Sequence, residues 1–185
     1  MSKLPLISEL NGSSYDEFIR TINVLFESAP PLTNALYSSR PYTSYNSLIS
    51  LASKFIQNTE LPISHKFEII NAHPRLGEDK KNLSLSSLKE QGYFNSSAND
   101  SSNKIKSNAL DEDEIVNTIL QELNNKYEEK FGFRFVIFVN GKSRREIIPI
   151  LQDTISKGNK DEELERGLSD MMSIATDRLK KLGRE

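Results

Sequence analysis

From Leu164 to Leu182 the residues Leu164, Leu168, Met171, Ala175, Arg178 and Leu182 fall alternately four and three positions apart. Only a helix with one buried face brings such a series onto a single side, so the chain must close with a long helix, expected from about Asp161. Five members of the stripe are apolar or small, and the sixth is an arginine. A guanidinium on a buried face is costly unless it is paired or aimed at a cavity that receives an anion. An arginine near a helix end can instead snorkel to water. Both readings stand for Arg178.

The same period recurs upstream. Tyr15, Phe18, Ile22, Leu25 and Phe26 follow the cap candidates Ser13 and Ser14, in a run that ends at Pro30-Pro31. Leu48, Leu51, Ala52, Phe55 and Ile56 follow Arg40-Pro41-Tyr42, with Ser44 as cap. A shorter helix is expected from about Ser64 to Ala72 and another from near Ser87. Asp111 to Glu114 place acids on the first turn of a helix striped by Val116, Ile119, Leu120, Leu123 and Tyr127. Ser143-x-x-Glu146 is a capping box opening a helix with Ile147, Ile148, Leu151 and Ile155, and with Pro149 awkwardly inside it. Phe133 to Val139 is the exception, since its aromatic and branched side chains read by propensity as a buried strand. Between Asn95 and Asn108 the chain is polar and low in complexity, which predicts a mobile surface loop.

Chemistry concentrates between Asn71 and Gln91. The chain holds only two histidines. His73 falls where an apolar helical run must stop, because Pro74 pushes its predecessor out of the helical region and Gly77 helps to close a turn. An imidazole at such a junction, with Glu90 downstream, has the ingredients of an acid/base site. A histidine satisfied within the fold is the plainer alternative. Ser87-x-x-Glu90 likewise reads either as site residues or as a capping box.

Composition removes several function classes. A net charge of −2 and a pI near 5.8, with basic and acidic residues interleaved, leave no broad surface for nucleic acid or anionic membrane. With no cysteine and two histidines, neither a disulfide framework nor an ordinary zinc set is expected. Gly141-Lys142-Ser143 is not a phosphate loop, because Val136 stands where that motif needs glycine. No run reaches the roughly 20 apolar residues of a membrane helix, and the amino terminus is too short in apolar length for a signal peptide. A length of 185 residues and 36% hydrophobic content suit one domain, 1–185, in the cytoplasm.

His73-Pro74-x-Leu76-Gly77, then Ser87-x-x-Glu90-Gln91, then Lys130-Phe131-Gly132-Phe133-x-Phe135-Val136-Ile137 resembles, block by block and in order, the 2-oxo-4-hydroxy-4-carboxy-5-ureidoimidazoline (OHCU) decarboxylases of purine catabolism. The Phe26-Glu27 step before Pro30-Pro31, the Arg-Pro-aromatic step and the Ile174-x-x-x-Arg178-Leu179 context extend the resemblance to residues 10–182. It implies an all-α bundle of about seven to nine helices, with 133–139 irregular rather than a strand. It implies His73 as acid/base, Glu90 as its partner carboxylate, Ser87 and Gln91 as substrate hydrogen-bonders, Arg178 as anion clamp, the Ile137 backbone as a further contact and Pro74 as a wall of the pocket. Loss of carbon dioxide would leave charge that the substrate's ring takes up as an enolate, giving (S)-allantoin with no metal or organic cofactor. A small-molecule substrate and a possible homodimer follow as partners.

Two departures stand out: Gly92-Tyr93-Phe94 where the family has small residues after its Glu-Gln pair, and Phe138 where it has a small residue or cysteine. Relatives in other lineages are peroxisomal, whereas Leu182-Gly183-Arg184-Glu185 is not a Ser-Lys-Leu address. The alternative readings are an all-α interaction module that has kept the scaffold without turnover, and another decarboxylase or hydrolase of a cyclic ureide.

Overall fold

A computed structural model describes residues 4–78, 80–93 and 106–183, the side chains of residue 80 and of residues 106–112 aside. Among these residues there are nine α-helices, one 3-10 turn and no strand: α1 (Ile7–Gly12), α2 (Tyr15–Phe26), α3 (Pro30–Ser38), α4 (Tyr45–Gln57), α5 (Ile63–Asn71), the turn Lys80–Asn82, α6 (Leu85–Glu90), α7 (Lys106–Phe131), α8 (Arg144–Lys157) and α9 (Lys160–Lys181). The all-α expectation therefore holds. No described helix is long and apolar enough to cross a membrane.

The chain divides into two compact units interleaved in sequence. The first comprises Met1–His73, Val136–Phe138 and Leu164–Glu185. Ser14 caps α2 and Ser44 caps α4, each side chain accepting the amide three residues on, as their position before an apolar run predicts. Phe18, Ile22, Leu25, Leu32, Leu36, Leu48 and Ile56 are fully buried. Pro30-Pro31 ends one run and also opens α3, because proline at the first helical positions has no amide to leave unsatisfied. In α9 the stripe is buried as its period requires, with Leu168, Met171, Ala175 and Arg178 all under 5% exposed. At Gly167 a Cβ would lie 2.7 Å from Ile70 Cδ1, so glycine lets α9 approach α5 closely.

The second unit comprises Pro74–Phe135 and Val139–Glu163. Its core gathers Tyr127, Phe131, Phe133 and Phe135, with Tyr127 edge-on to Phe133 at 5.8 Å and to Phe135 at 5.1 Å. The run 133–139 is irregular, so packing of its aromatics overrides their strand propensity. Two boundaries differ from expectation. Helix α7 begins at Lys106, which moves Asp111–Glu114 off its first turn, because no glycine or proline between Ser107 and Leu110 stops the helix. The expected mobile loop of 95–108 lies outside the described residues from 95 to 105, and its last three positions are helical. The other boundary is the start of α6, at Leu85 under a Ser84 cap.

Candidate active site

His73 lies two residues beyond α5. The helix ends at Asn71, and the His73 amide still reaches back to the Ile70 carbonyl at 3.3 Å. The ring is 3% exposed. Its Nδ1 is 3.0 Å from Glu27 Oε2. The carboxylate on Nδ1 is thus supplied by a residue that the sequence reading used only as half of a Phe-Glu step. Glu27 is the C-cap of α2 at φ 49° and ψ 54°, in the left-handed region, where a side chain other than glycine costs about 1–2 kcal/mol. Arg178 approaches the same oxygen, with Nη2 at 3.5 Å, and Arg178 Nη1 donates to the Leu25 carbonyl at 3.2 Å. The inward arginine of the α9 stripe is therefore paired, and it also answers one of the orphan carbonyls at the end of α2.

Ile137 belongs to the same unit, and its backbone is held by both neighbours. Arg166 Nη1 donates to the Val136 carbonyl at 2.9 Å, and the Phe138 amide donates to Asp170 Oδ2 at 3.1 Å. In a trans peptide the C=O and N–H point in opposite directions. Tying the Val136 carbonyl and the Phe138 amide to α9 therefore turns the Ile137 N–H and C=O away from that helix.

In the second unit Pro74 opens the turn that Gly77 closes at φ +77°, where a Cβ would also come within 3.1 Å of Leu120. Gln91 braces this turn from both ends of its amide: Oε1 accepts from the Gly77 amide at 2.9 Å and Nε2 donates to the Arg75 carbonyl at 3.3 Å. Asn124 donates to the Leu76 carbonyl at 2.9 Å, and Arg75 grips Glu128 through two bonds of 2.7 and 2.6 Å. Ser87 is 3% exposed and sits inside α6, its amide donating to Ser84 Oγ at 3.1 Å. The capping-box reading of Ser87 and Glu90 is therefore corrected: Ser84 is the cap, and Glu90 is the last residue of the helix. Glu90 and Gln91 line a cleft of about 500 Å³ with Lys89, Gly92 and Arg144.

A family model for OHCU decarboxylase matches residues 11–180. The chain belongs to the OHCU decarboxylase family. A 2-oxo-4-hydroxy-4-carboxy-5-ureidoimidazoline decarboxylase of Xenopus laevis is 28% identical over 171 residues, 91% of this chain and 89% of that protein. A uric acid degradation bifunctional protein of Bacillus sp. (strain TB-90) is 30% identical over 179 residues, and there the chain spans 97% of itself but 32% of the longer relative. Among solved structures, an OHCU decarboxylase crystallised in the presence of (S)-allantoin superposes with a TM-score of 0.62 at 21% identity, covering 92% of this chain and 99% of that one. An (S)-allantoin synthase superposes with a TM-score of 0.58 at 15% identity, over 96% of this chain and 54% of the other. At these identities the superpositions establish the fold.

Sequence reasoning about the family missed Glu27 as a site residue. One local signal was present: an acidic residue at the end of an amphipathic helix, where the helix dipole disfavours negative charge. Its pairing with His73, 46 residues away, is a tertiary fact.

Proposed function

We propose that the protein is a carboxy-lyase that converts 2-oxo-4-hydroxy-4-carboxy-5-ureidoimidazoline to (S)-allantoin in urate degradation, with no cofactor. One observation carries the reading within a chain of this family: a buried imidazole whose Nδ1 is held by a carboxylate, with a guanidinium on that same carboxylate. In the proposed reaction the bond to the substrate carboxylate breaks, carbon dioxide leaves, and the electron pair passes into the ring as an enolate. The hydroxyl-bearing carbon that lost carbon dioxide becomes the ring carbonyl, and His73 delivers a proton to one face of the adjacent ureido-bearing carbon, which makes the product a single enantiomer. Glu90 is the second carboxylate of the acid/base machinery. Arg178 gives the site its positive charge, and its planar fork can serve Glu27 and an anionic substrate group together. Ser87, the Ile137 backbone and Gln91 hydrogen-bond the ureide, and Pro74 walls the pocket. An amide has two donor hydrogens and two acceptor lone pairs, so Gln91 can brace the Gly77 turn and still reach a ligand.

The experiment is turnover of freshly generated ureidoimidazoline, following the handedness of the allantoin by circular dichroism. His73→Ala is expected to abolish stereospecific turnover with an unchanged far-ultraviolet spectrum. A folded His73→Ala protein that forms (S)-allantoin at the wild-type rate would falsify the assignment, and an inactive wild-type protein would leave the scaffold reading. A homodimer is proposed alongside, since Leu85 at 68% and Ile115 at 58% exposure are apolar side chains that a second copy can cover. Sedimentation velocity that shows only monomer at micromolar concentration refutes it.

A further inference from the structure

Glu27 occupies a position that suits it poorly. At φ 49° the end of a helix takes glycine or asparagine at little cost and other residues with strain, and a carboxylate there meets the negative end of the α2 dipole. The surroundings nonetheless fix it. The Glu27 amide donates to the Asn23 carbonyl at 3.2 Å, and the next residue, Ser28, gives Asn23 Oδ1 both its amide at 3.1 Å and its hydroxyl at 2.9 Å. Strain that neighbours over-determine marks a side chain retained for where it points. This one brings its Oε2 within 3.0 Å of His73 Nδ1 and 3.5 Å of Arg178 Nη2.

We infer that Glu27 is a positioning residue that fixes the tautomer of His73, an inference that rests on His73 being the acid/base of the proposed reaction. A carboxylate ion-paired to a guanidinium accepts hydrogen bonds and donates none, so the single proton of the neutral imidazole resides on Nδ1. Nε2 then carries the lone pair. Neutral His73 accordingly takes the proton of the substrate's hydroxyl through Nε2 as that group becomes the ring carbonyl, and it later delivers this proton to the adjacent ureido-bearing carbon. The imidazolium formed in between has the Glu27 charge 3.0 Å from Nδ1. The orienting role expected of Glu90 passes to Glu27, and Glu90 keeps the part that acts on the substrate.

Nitrogen-15 NMR of the intact protein, with turnover on the same samples, tests this. The other histidine, His65, is exposed, and a His65→Asn variant assigns the two rings. With the imidazole neutral, wild-type His73 is expected to show Nδ1 protonated and Nε2 bare. Glu27→Gln should lose that single-tautomer signature, because an amide can donate to Nδ1 as well as accept from it. Its kcat should fall about 100-fold or more while KM changes far less. Glu27→Asp should recover part of kcat. A wild-type His73 with its proton on Nε2 overturns the inference, as does a Glu27→Gln enzyme with wild-type kcat. Turnover by His73→Ala would instead sink the acid/base reading and with it any catalytic purpose for Glu27. The tautomer, read without substrate, separates that result from a failure of Glu27 alone.

Discussion

The chain contains Ser-x-x-Glu at two places in its second unit, Ser87 to Glu90 and Ser143 to Glu146, and the structure uses them in opposite ways. At α8 the pattern is a reciprocal box: the Glu146 amide donates to Ser143 Oγ at 3.3 Å, and Glu146 Oε2 receives the Ser143 amide at 2.8 Å and hydroxyl at 2.7 Å. Those bonds hold the Glu146 carboxyl below the usual carboxylate range. At α6 another serine, Ser84, stands three residues further upstream and takes the cap, so Ser87 is carried inside the helix and buried while Glu90 falls at its C-terminal end. There the helix dipole opposes a negative charge instead of favouring it. The same four-residue signal thus stabilises one helix start and, displaced by one turn, leaves a buried serine inside the other helix, its Oγ accepting from Ser84 Oγ at 3.1 Å, and a carboxylate at that helix's end.

The largest expected effect divides the two glutamates. Glu90→Gln should lower turnover by about 100-fold or more, as loss of an acid/base group does, with the melting temperature unchanged or slightly raised. Glu146→Gln should leave turnover unchanged and lower the melting temperature. That stability difference should vanish in acid: a depressed carboxyl stabilises the fold above its ordinary titration range, and the contribution is lost as pH falls through its folded value. Thermal melts and kinetics on both variants check this. Two glutamates with the same profile would mean that the displacement of α6 has no functional content.

How much of this was legible follows the same division between local and distant causes. The caps at Ser14, Ser44 and Ser143 and the stripes of α2, α4 and α9 were readable because cap and stripe lie within one helix. Helix α1 was not, being six residues long and opened by the Glu9 side chain closing on the Leu6 amide at 2.7 Å rather than by a capping side chain. Helix α3 was hidden by its prolines, which end one helix as readily as they begin the next. In the site, Arg178 announced itself as a charge on an apolar stripe. Glu27 did not, since its partners are set by the meeting of α2, α5 and α9 within the first unit and no spacing records that. Ser84 shows the limit most plainly: the Ser-x-x-Glu pattern points to Ser87 as the cap, and the helix opens one turn earlier at a serine that has no glutamate three residues on.

A smaller effect divides the two serines. Ser87→Ala removes one proposed substrate hydrogen bond, so KM should rise about tenfold with stability nearly constant, the energy of one such bond being on the order of 1 kcal/mol. Ser143→Ala should do the reverse, costing about 1 kcal/mol of stability with KM unchanged. Denaturant titration beside steady-state kinetics separates them, and a Ser87→Ala protein that is unstable with normal KM would return Ser87 to a structural role.

The smallest effect tests the competition itself. Ser84→Ala deletes the cap of α6, which costs about 1 kcal/mol for an exposed helix start. The loss also leaves Ser87 as the nearest capping side chain, and a helix restarted there would draw Glu90 back toward the Ser87 amide in the arrangement that Glu146 has with Ser143. Ser84→Ala is therefore expected to lower turnover as well as stability, although Ser84 is no part of the proposed chemistry, whereas Ser143→Ala lowers stability alone. Ser84→Asp, which caps as well as serine does, should restore both. A Ser84→Ala protein that is destabilised yet fully active would show that the position of Glu90 does not depend on which serine opens the helix, and the contrast between α6 and α8 would then be one of stability only.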